Sequence, residues 1–293
     1  MAASMHFATR VGVGATSGSA STLELEFLAC QIGKTGQHIQ SPAIRGSRDE
    51  IAETVVQGTF TVGGSLSIEP RQAELDFFLP KILGGGTNPT YTLAATVPEI
   101  GVDIGKVADS YRYAGMKINT ATFRSGPNQP LQLEMDIQGK TETAGITFPS
   151  IASTVTNVPP YIHHEMVLTL GGTAYECSAC EISIGNVLML DRFMNSQSRT
   201  ELPEQDRKIT LKVTVPFSVT TLYEIAIAGI AGTVVYTKVP FSLGFAFDKL
   251  QSATKPVTIQ GKNGELLQQL EFVARRNATS PTAALIVTHD STT

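Results

Sequence analysis

The chain has 293 residues, of which 42% are hydrophobic and 16% charged, with a net charge of −4 and a pI near 5.8. That length is too great for one small domain and accommodates two of ordinary size. The lack of a basic excess argues against a sequence-reading DNA or RNA binder, and no apolar run reaches the roughly 18–20 residues of a membrane helix. A charged share below the usual ~25% has two readings: a surface that faces other protein, or a plain β-rich surface of Thr, Ser and Gly.

Taken in chain order, residues 1–21, "MAASMHFATRVGVGATSGSAS", have no apolar core of signal-peptide length. They are small, polar and Gly/Ser-rich, and are expected to form a flexible N-terminal arm, either disordered or ordered against a neighbouring subunit. A β-rich unit follows. "FLACQIG" ends at Gly33, "GSRDEI" carries Arg48, and Phe60, Val62, Leu66 and Ile68 share one face of a strand region. A helix is predicted from about Pro70 to Leu83, with Pro70 suited to its first position and Gly84 to its end. Its apolar stripe is Leu75, Phe78, Leu79 and Ile82, at i, i+3, i+4 and i+7; Pro80 is expected to kink or shorten it. A strand over 131–138 alternates strictly. Leu131, Leu133, Met135 and Ile137 face one way, and Gln132, Glu134, Asp136 and Gln138 the other, as in a sheet with one buried and one wet face.

"GITFPSIASTVTNVPPYI" then reads as a connection, and the pattern begins again. "CSACEISIG" ends at Gly185, "QSRTEL" carries Arg199, and Ile209, Leu211, Val213, Val215 and Phe217 share a face. A second helix is predicted at "TLYE", with Thr221 as cap, Glu224 completing a capping box, and Leu222, Ile225, Ala226 and Gly229 as its stripe. "YTKVPFSLGFAFD" from Tyr236 answers "YTLAATVPEIGVDIG" from Tyr91. "QQLEFVARRNAT" answers "LQLEMDIQGKTE", with Gln269, Glu271 and Arg275 at the wet positions and Val273 breaking the series. Gly33 and Gly185 lie 152 positions apart, Arg48 and Arg199 151, Leu75 and Leu222 147, Tyr91 and Tyr236 145, Leu133 and Leu270 137. An ordered series with a falling offset predicts an internal duplication: an arm (1–21), a first lobe (22–145), a linker (146–164) and a second lobe (165–293). The expected fold is mainly β, with two tandem related β-sandwich or barrel lobes and one short packed helix in each.

The chemistry-bearing residues form no site. The three cysteines, Cys30, Cys177 and Cys180, do not make a disulfide framework. "CSAC" lies in an alternating stretch and has no second metal-type pair, so its thiols read as structural. "HHEM" at His163–His164 lacks the second histidine of a zinc protease motif. "GGGTNP" lacks the Lys-Ser/Thr of a phosphate loop and reads as a helix stop. "NAT" at Asn277 matches a glycosylation acceptor in a chain with nothing to place it in a secretory pathway. No catalytic residue, cofactor or metal is expected, and the chain is not read as an enzyme.

Residues 41–85, "SPAIRGSRDEIAETVVQGTFTVGGSLSIEPRQAELDFFLPKILGG", and 113–142, "YAGMKINTATFRSGPNQPLQLEMDIQGKTE", resemble the tail tube proteins of long-tailed bacteriophages. The most specific pieces are "AIRGSR", "GTFTVGGSLS", "AELDFFLPKILGG" and "DIQGKTE". The second half departs by having "ITLKVTVPF" in place of a "YTVGG"-like segment, so the two lobes need not make identical ring contacts. The resemblance implies rings stacked into a hollow tube, sheets of all subunits joined around the lumen, a helix outside the sheet, and loops and arms linking rings. It also implies a place in the virion tail after synthesis in the bacterial host cytoplasm, and non-specific passage of double-stranded DNA. The implied partners are sister copies, a tape-measure protein, and tail-end or baseplate proteins.

If single-lobe relatives build six-fold rings, a duplicated chain builds the same ring from three copies, in preference to a hexamer with one lobe outside. Gln132, Glu134, Asp136, Gln138, Gln269 and Glu271 are then candidates for the lumen face, although a wet outer surface has the same pattern. The competing readings are another phage structural protein, for decoration or tail completion, and a two-lobe β binding module. The second of these is disfavoured by 7% aromatics and no Trp.

Overall fold

Alternating apolar residues become strands in both halves of the chain. A computed structural model describes residues 8–40, 55–151, 158–217, 227–252, 266–278 and 283–291. The first half contains β1 (Arg10–Gly14), β2 (Leu23–Leu25), β3 (Phe27–Cys30), β4 (Gly33–Gln40), β5 (Val55–Ile68), helix α1 (Gln72–Leu83), β6 (Gly84–Thr87), β7 (Thr90–Leu93), β8 (Ile100–Gly105), β9 (Ser110–Ser125), β10 (Gln132–Gly139) and β11 (Thr141–Ala144). The second contains a 3-10 turn (His163–Glu165), β12 (Met166–Leu170), β13 (Thr173–Tyr175), β14 (Ala179–Gly185), β15 (Lys208–Pro216), β16 (Ile230–Lys238), β17 (Phe241–Ser252), β18 (Leu267–Arg275) and β19 (Leu285–Asp290).

The duplication is visible in the antiparallel pairings. In the first half β1 pairs with β2 and β8, β8 with β9, β9 with β10 and β11, β10 with β5, and β5 with β3. The second half repeats each step: β12 with β13 and β16, β16 with β17, β17 with β18 and β19, β18 with β15, and β15 with β14. The registers make Leu66 equivalent to Leu211, since each lies opposite the residue three before the matched glycine, Gly33 or Gly185: Leu66 opposite Cys30 and Leu211 opposite Ile182. They correct one expected match. Tyr91 lies in β7, which pairs with β6 and β19, whereas Tyr236 lies in β16, the counterpart of β8. Shared Tyr-Thr spelling at a convenient offset is weaker than hydrogen-bond register as a sign of equivalence.

One buried face runs through the joined halves. Leu133, Phe123, Ile182, Leu211 and Phe272 lie directly opposite one another on β10, β9, β14, β15 and β18. None is more than 1% exposed, and full burial of each such side chain contributes about 1.5–3 kcal/mol. Phe123 and Phe245, from different halves, meet edge-to-face with centroids 5.0 Å apart. α1 lies over β6, β7, β9 and β19, with Leu75, Phe78, Leu79 and Ile82 fully buried, as their spacing predicts.

Details of α1 differ from expectation. Pro70 lies outside the helix, whose N-cap is Arg71; the Arg71 N–H donates to Glu74 Oε2 at 2.8 Å. Pro80 lies inside the helix, which continues to Leu83. The stop is Gly84, at φ +96°, with its N–H on the Pro80 carbonyl, a conformation glycine adopts without steric cost. The expected second helix, with Thr221 and Glu224, lies outside the described residues. Just after it, Ile227 and Ala228 are helical and Gly229 has φ +87°; among the described residues no helix is long and apolar enough to cross a membrane.

Part of the expected N-terminal arm is also different. Arg10–Gly14 is a strand with Val11 and Val13 fully buried. Its glycines are needed for close approach: a Cβ on Gly12 would lie 2.7 Å from the Ser21 Cβ. Ser21 is itself held by the buried Asp103, which accepts from both its N–H and Oγ at 2.9 Å.

Candidate functional site

The surface of interest is the opposite, polar face of the sheet ordered β3, β5, β10, β9, β14, β15, β18, β17. The two halves join in its middle, where β9 pairs with β14 from Thr120–Gly185 to Ser125–Cys180. Paired residues point to the same side, so the register writes out the rows of this face. One row is Gln132, Arg124, Glu181, Lys212 and Glu271. The next is Ser67, Glu134, Thr122, Ser183, Thr210 and Val273. The residue that broke the β18 pattern, Val273, therefore sits in an otherwise polar row, between Thr210 of β15 and Gln251 of β17.

The first row is a ladder of alternating charge. Arg124 Nη1 donates to Glu134 at 2.6 Å and its Nε to Glu181 at 2.9 Å; Lys212 Nζ donates to the other Glu181 oxygen at 3.2 Å. Partial burial pushes the Glu181 carboxyl upward, but the hydrogen bonds from Arg124 and Lys212 outweigh it and hold it below its usual range. Arg124 and Lys212, the cations of this row, are thereby engaged by carboxylate. The Arg124–Glu181 bond also crosses the join between the halves.

Of the six residues singled out in the sequence, Gln132, Glu134, Gln269 and Glu271 belong to this open part of the face, and the sheet brings β10 and β18 onto the same side of one surface. Asp136 and Gln138 share the face but are tied down by protein. Asp136 accepts from Asn119 Nδ2 at 2.7 Å and from Gln138 Nε2 at 2.8 Å; Gln138 Oε1 accepts from Arg199 at 3.1 Å. Sequence reasoning missed Arg124, Glu181 and Lys212. Alternation in β14 and β15 was the available signal for their facing, but only the β9–β14 pairing places them in one row.

The segment 186–207 clamps this join from the second half. Asn186 Nδ2 donates at 3.0 Å to the carbonyls of both Ile82 and Ile118, and Lys117 meets Glu204 at 2.7 Å. Arg199, 6% exposed, donates to the carbonyls of Leu190 (2.9 Å), Val62 (3.1 Å) and Gly139 (3.3 Å).

The thiols and His163 are structural. Burial pushes the Cys30, Cys177 and Cys180 thiols up, away from nucleophilic chemistry. His163 is buried between Ser125 Oγ (3.0 Å) and the Cys177 carbonyl (2.8 Å). Among the described residues no cluster of His, Cys, Asp and Glu has metal-binding geometry.

A sequence model of the phage tail tube protein family matches residues 3–274 of the 293. The chain belongs to that family. A comparison with curated proteins returns no match. As a tail tube protein it is a structural component of the phage virion tail, made in the host cytoplasm. It assembles with its own kind into the conduit through which the genome passes and is not an enzyme.

Proposed function

We propose that this tail tube protein closes its ring with three copies, giving a pseudo-six-fold ring, and that the polar face of the β10–β9–β14–β15–β18 sheet lines the lumen. One observation carries the reading: both halves repeat the same pairing scheme and are joined edge to edge through β9 and β14, so each chain supplies two consecutive units of a circular sheet. Open sheet edges are an aggregation hazard; a head-to-tail interface that closes removes them, and stacked rings form a tube. The two units correspond to residues 22–145 and 165–293, each a β-sandwich or barrel lobe, with a second helix beginning at Thr221.

A lumen lined by this face suits passage of DNA. A duplex carries one charge per about 1.7 Å and binds cations by releasing counterions. Arg124 and Lys212 are engaged by Glu134 and Glu181, so the ladder offers phosphate little to hold, and the Ser/Thr row adds neutral surface. Gln132, Glu134, Gln269 and Glu271 face the DNA; Asp136 and Gln138 support the wall. During assembly the same lumen holds the tape-measure protein, and the ends of the tube meet tail-end or baseplate proteins. Cryo-electron microscopy of assembled tubes tests the count. Three chains per ring, each contributing two lumen segments, is the expected result; six chains lining the lumen overturns it.

A further inference from the structure

A polar atom buried without a hydrogen bond costs free energy, and native proteins satisfy nearly all such atoms with protein or ordered water. Four side-chain atoms on and around α1 have no protein partner among the described residues: both amide atoms of Gln72, the Tyr161 hydroxyl and His289 Nε2. Gln72 is 6% exposed, and Tyr161 and His289 are fully buried. They come from three parts of the chain: the first turn of α1, the segment leading into the second half, and its last strand.

The fold brings these residues together. Tyr236 of β16 lies opposite Leu243 of β17, and Leu243 opposite His289 of β19, so the three side chains share a face. The Tyr161 ring packs on Tyr236, with centroids 6.1 Å apart. Gln72 and Asp76 are one turn apart on the same side of α1, and Asp76 Oδ1 lies 2.9 Å from His289 Nδ1. Gln72 also lies close enough to act on Tyr161: burial pushes that hydroxyl up, and the Gln72 amide opposes the push. Tyr161, Gln72, Asp76, His289, Leu243 and Tyr236 therefore form a closed circuit, and the four unpartnered atoms all belong to its members. The Tyr236 hydroxyl is satisfied elsewhere, by Ser125 Oγ at 2.8 Å.

The hydrogen-bonding roles are complementary. Burial pushes the Asp76 carboxyl up, but its polar contacts outweigh this and keep it ionised. It can therefore only accept, and His289 Nδ1 carries the proton; Nε2 of the neutral ring then needs a donor. Gln72 Oε1 needs a donor as well, and the Tyr161 hydroxyl has a proton to give. One water accepts from Tyr161 and donates to His289 Nε2 and Gln72 Oε1, the three bonds usual for a buried water.

We propose that Gln72, Tyr161 and His289 bind one internal water that ties α1 to the second half at both the segment leading into it and its last strand. α1 is then held to β19 twice, directly through Asp76 and one turn earlier through the water.

The first test is a map of the full chain, from crystals or from assembled tubes, at a resolution that shows ordered solvent. The expected result is a water within hydrogen-bond distance of the Tyr161 hydroxyl, His289 Nε2 and the Gln72 amide. A map in which these groups bond directly to one another, or in which no solvent lies among them, overturns the proposal.

The second test is in solution. Gln72→Met and Tyr161→Phe remove polar atoms while keeping shape. Each is expected to lower Tm by about 2–4 °C, because the groups that remain lose the water they shared. The double variant is expected to lose clearly less than the sum, because both changes unmake the same site. Strict additivity overturns a shared water. A rise in Tm in either single variant also overturns it, since that is the result of deleting a buried atom that had no partner at all. A direct Gln72–Tyr161 bond would couple the two variants in the same way, and the map separates that case from the water.

Discussion

At the scale of single residues, polar side chains with several partners each tie separate parts of the chain together. Asp76 on α1 accepts hydrogen bonds from Ser291 Oγ (2.6 Å), Tyr91 OH (2.7 Å) and Asn88 Nδ2 (3.1 Å), and His289 Nδ1 lies 2.9 Å away. It thereby ties the helix of the first half to the last strand of the second. Burial pushes its carboxyl upward, and these four contacts outweigh burial and hold it well below the usual carboxylate range. A depressed folded pKa stabilises fully above the unfolded value near ~4, and the contribution is lost as pH falls through the lower folded value. Asp76→Asn is therefore expected to lower the melting temperature of the monomer at pH 7, at a cost of roughly 2 kcal/mol after allowance for partial exposure. It should also flatten the acid decline below about pH 4; melting curves from pH 3 to 7 measure both effects. Arg199 is a second such residue. Arg199→Ala leaves the carbonyls of Leu190, Val62 and Gly139 without their donor, and is expected to cost about 3 kcal/mol in chemical denaturation. Arg199→Lys should recover little, because one ammonium cannot reproduce the fork.

At the scale of elements, what could be read in the sequence was what period and caps encode. The stripe of α1 and the two faces of β10 follow from spacing alone, because 3.6- and 2-residue periods translate directly into facing. The partner of a strand is not encoded that way. Nothing in "TATFRS" names "ACEISIG" as its neighbour, so Arg124, Glu181 and Lys212 were legible as outward residues and not as a ladder. β1 was hidden because its glycines, required by close packing on Ser21, give it the composition of a loop. The glycine pair in "TVGGSLS" was legible as distinctive, and its cause is steric. Gly64 has φ +151°, and a Cβ there would lie 2.2 Å from the Gln31 carbonyl oxygen, where the chain passes from β3 to β4 over β5. Gly64→Ala is expected to destabilise by at least ~2 kcal/mol and to free the β3 edge from β5. Thermal unfolding reads the first effect and exchange at Gln31–Gly33 the second. Wild-type values for both would show that the strain is relieved elsewhere.

At the scale of the whole molecule, the argument turns on where few charges are placed. A chain with 16% charged residues keeps several of them on one polar face as a neutralised ladder, where exposed pairs add little stability, typically 0.2–1 kcal/mol each. Their value on a lumen wall is electrostatic silence. Glu134→Gln with Glu181→Gln removes the carboxylates that engage Arg124 and Lys212 while keeping size and strand register, so the ring is expected to assemble normally. If this face lines the lumen, each ring then exposes uncompensated cations along the DNA path, repeated through the stack. Duplex short enough to enter open tubes should be retained by the variant at 50 mM salt and released by 200 mM, with a steeper salt dependence than the parent, as counterion release requires. Phage carrying the variant should eject DNA more slowly at low ionic strength and recover as salt is raised. Equal retention by variant and parent tubes, with assembly intact, would place this face on the outside of the tube and transfer the role of wall to another surface of the sheet.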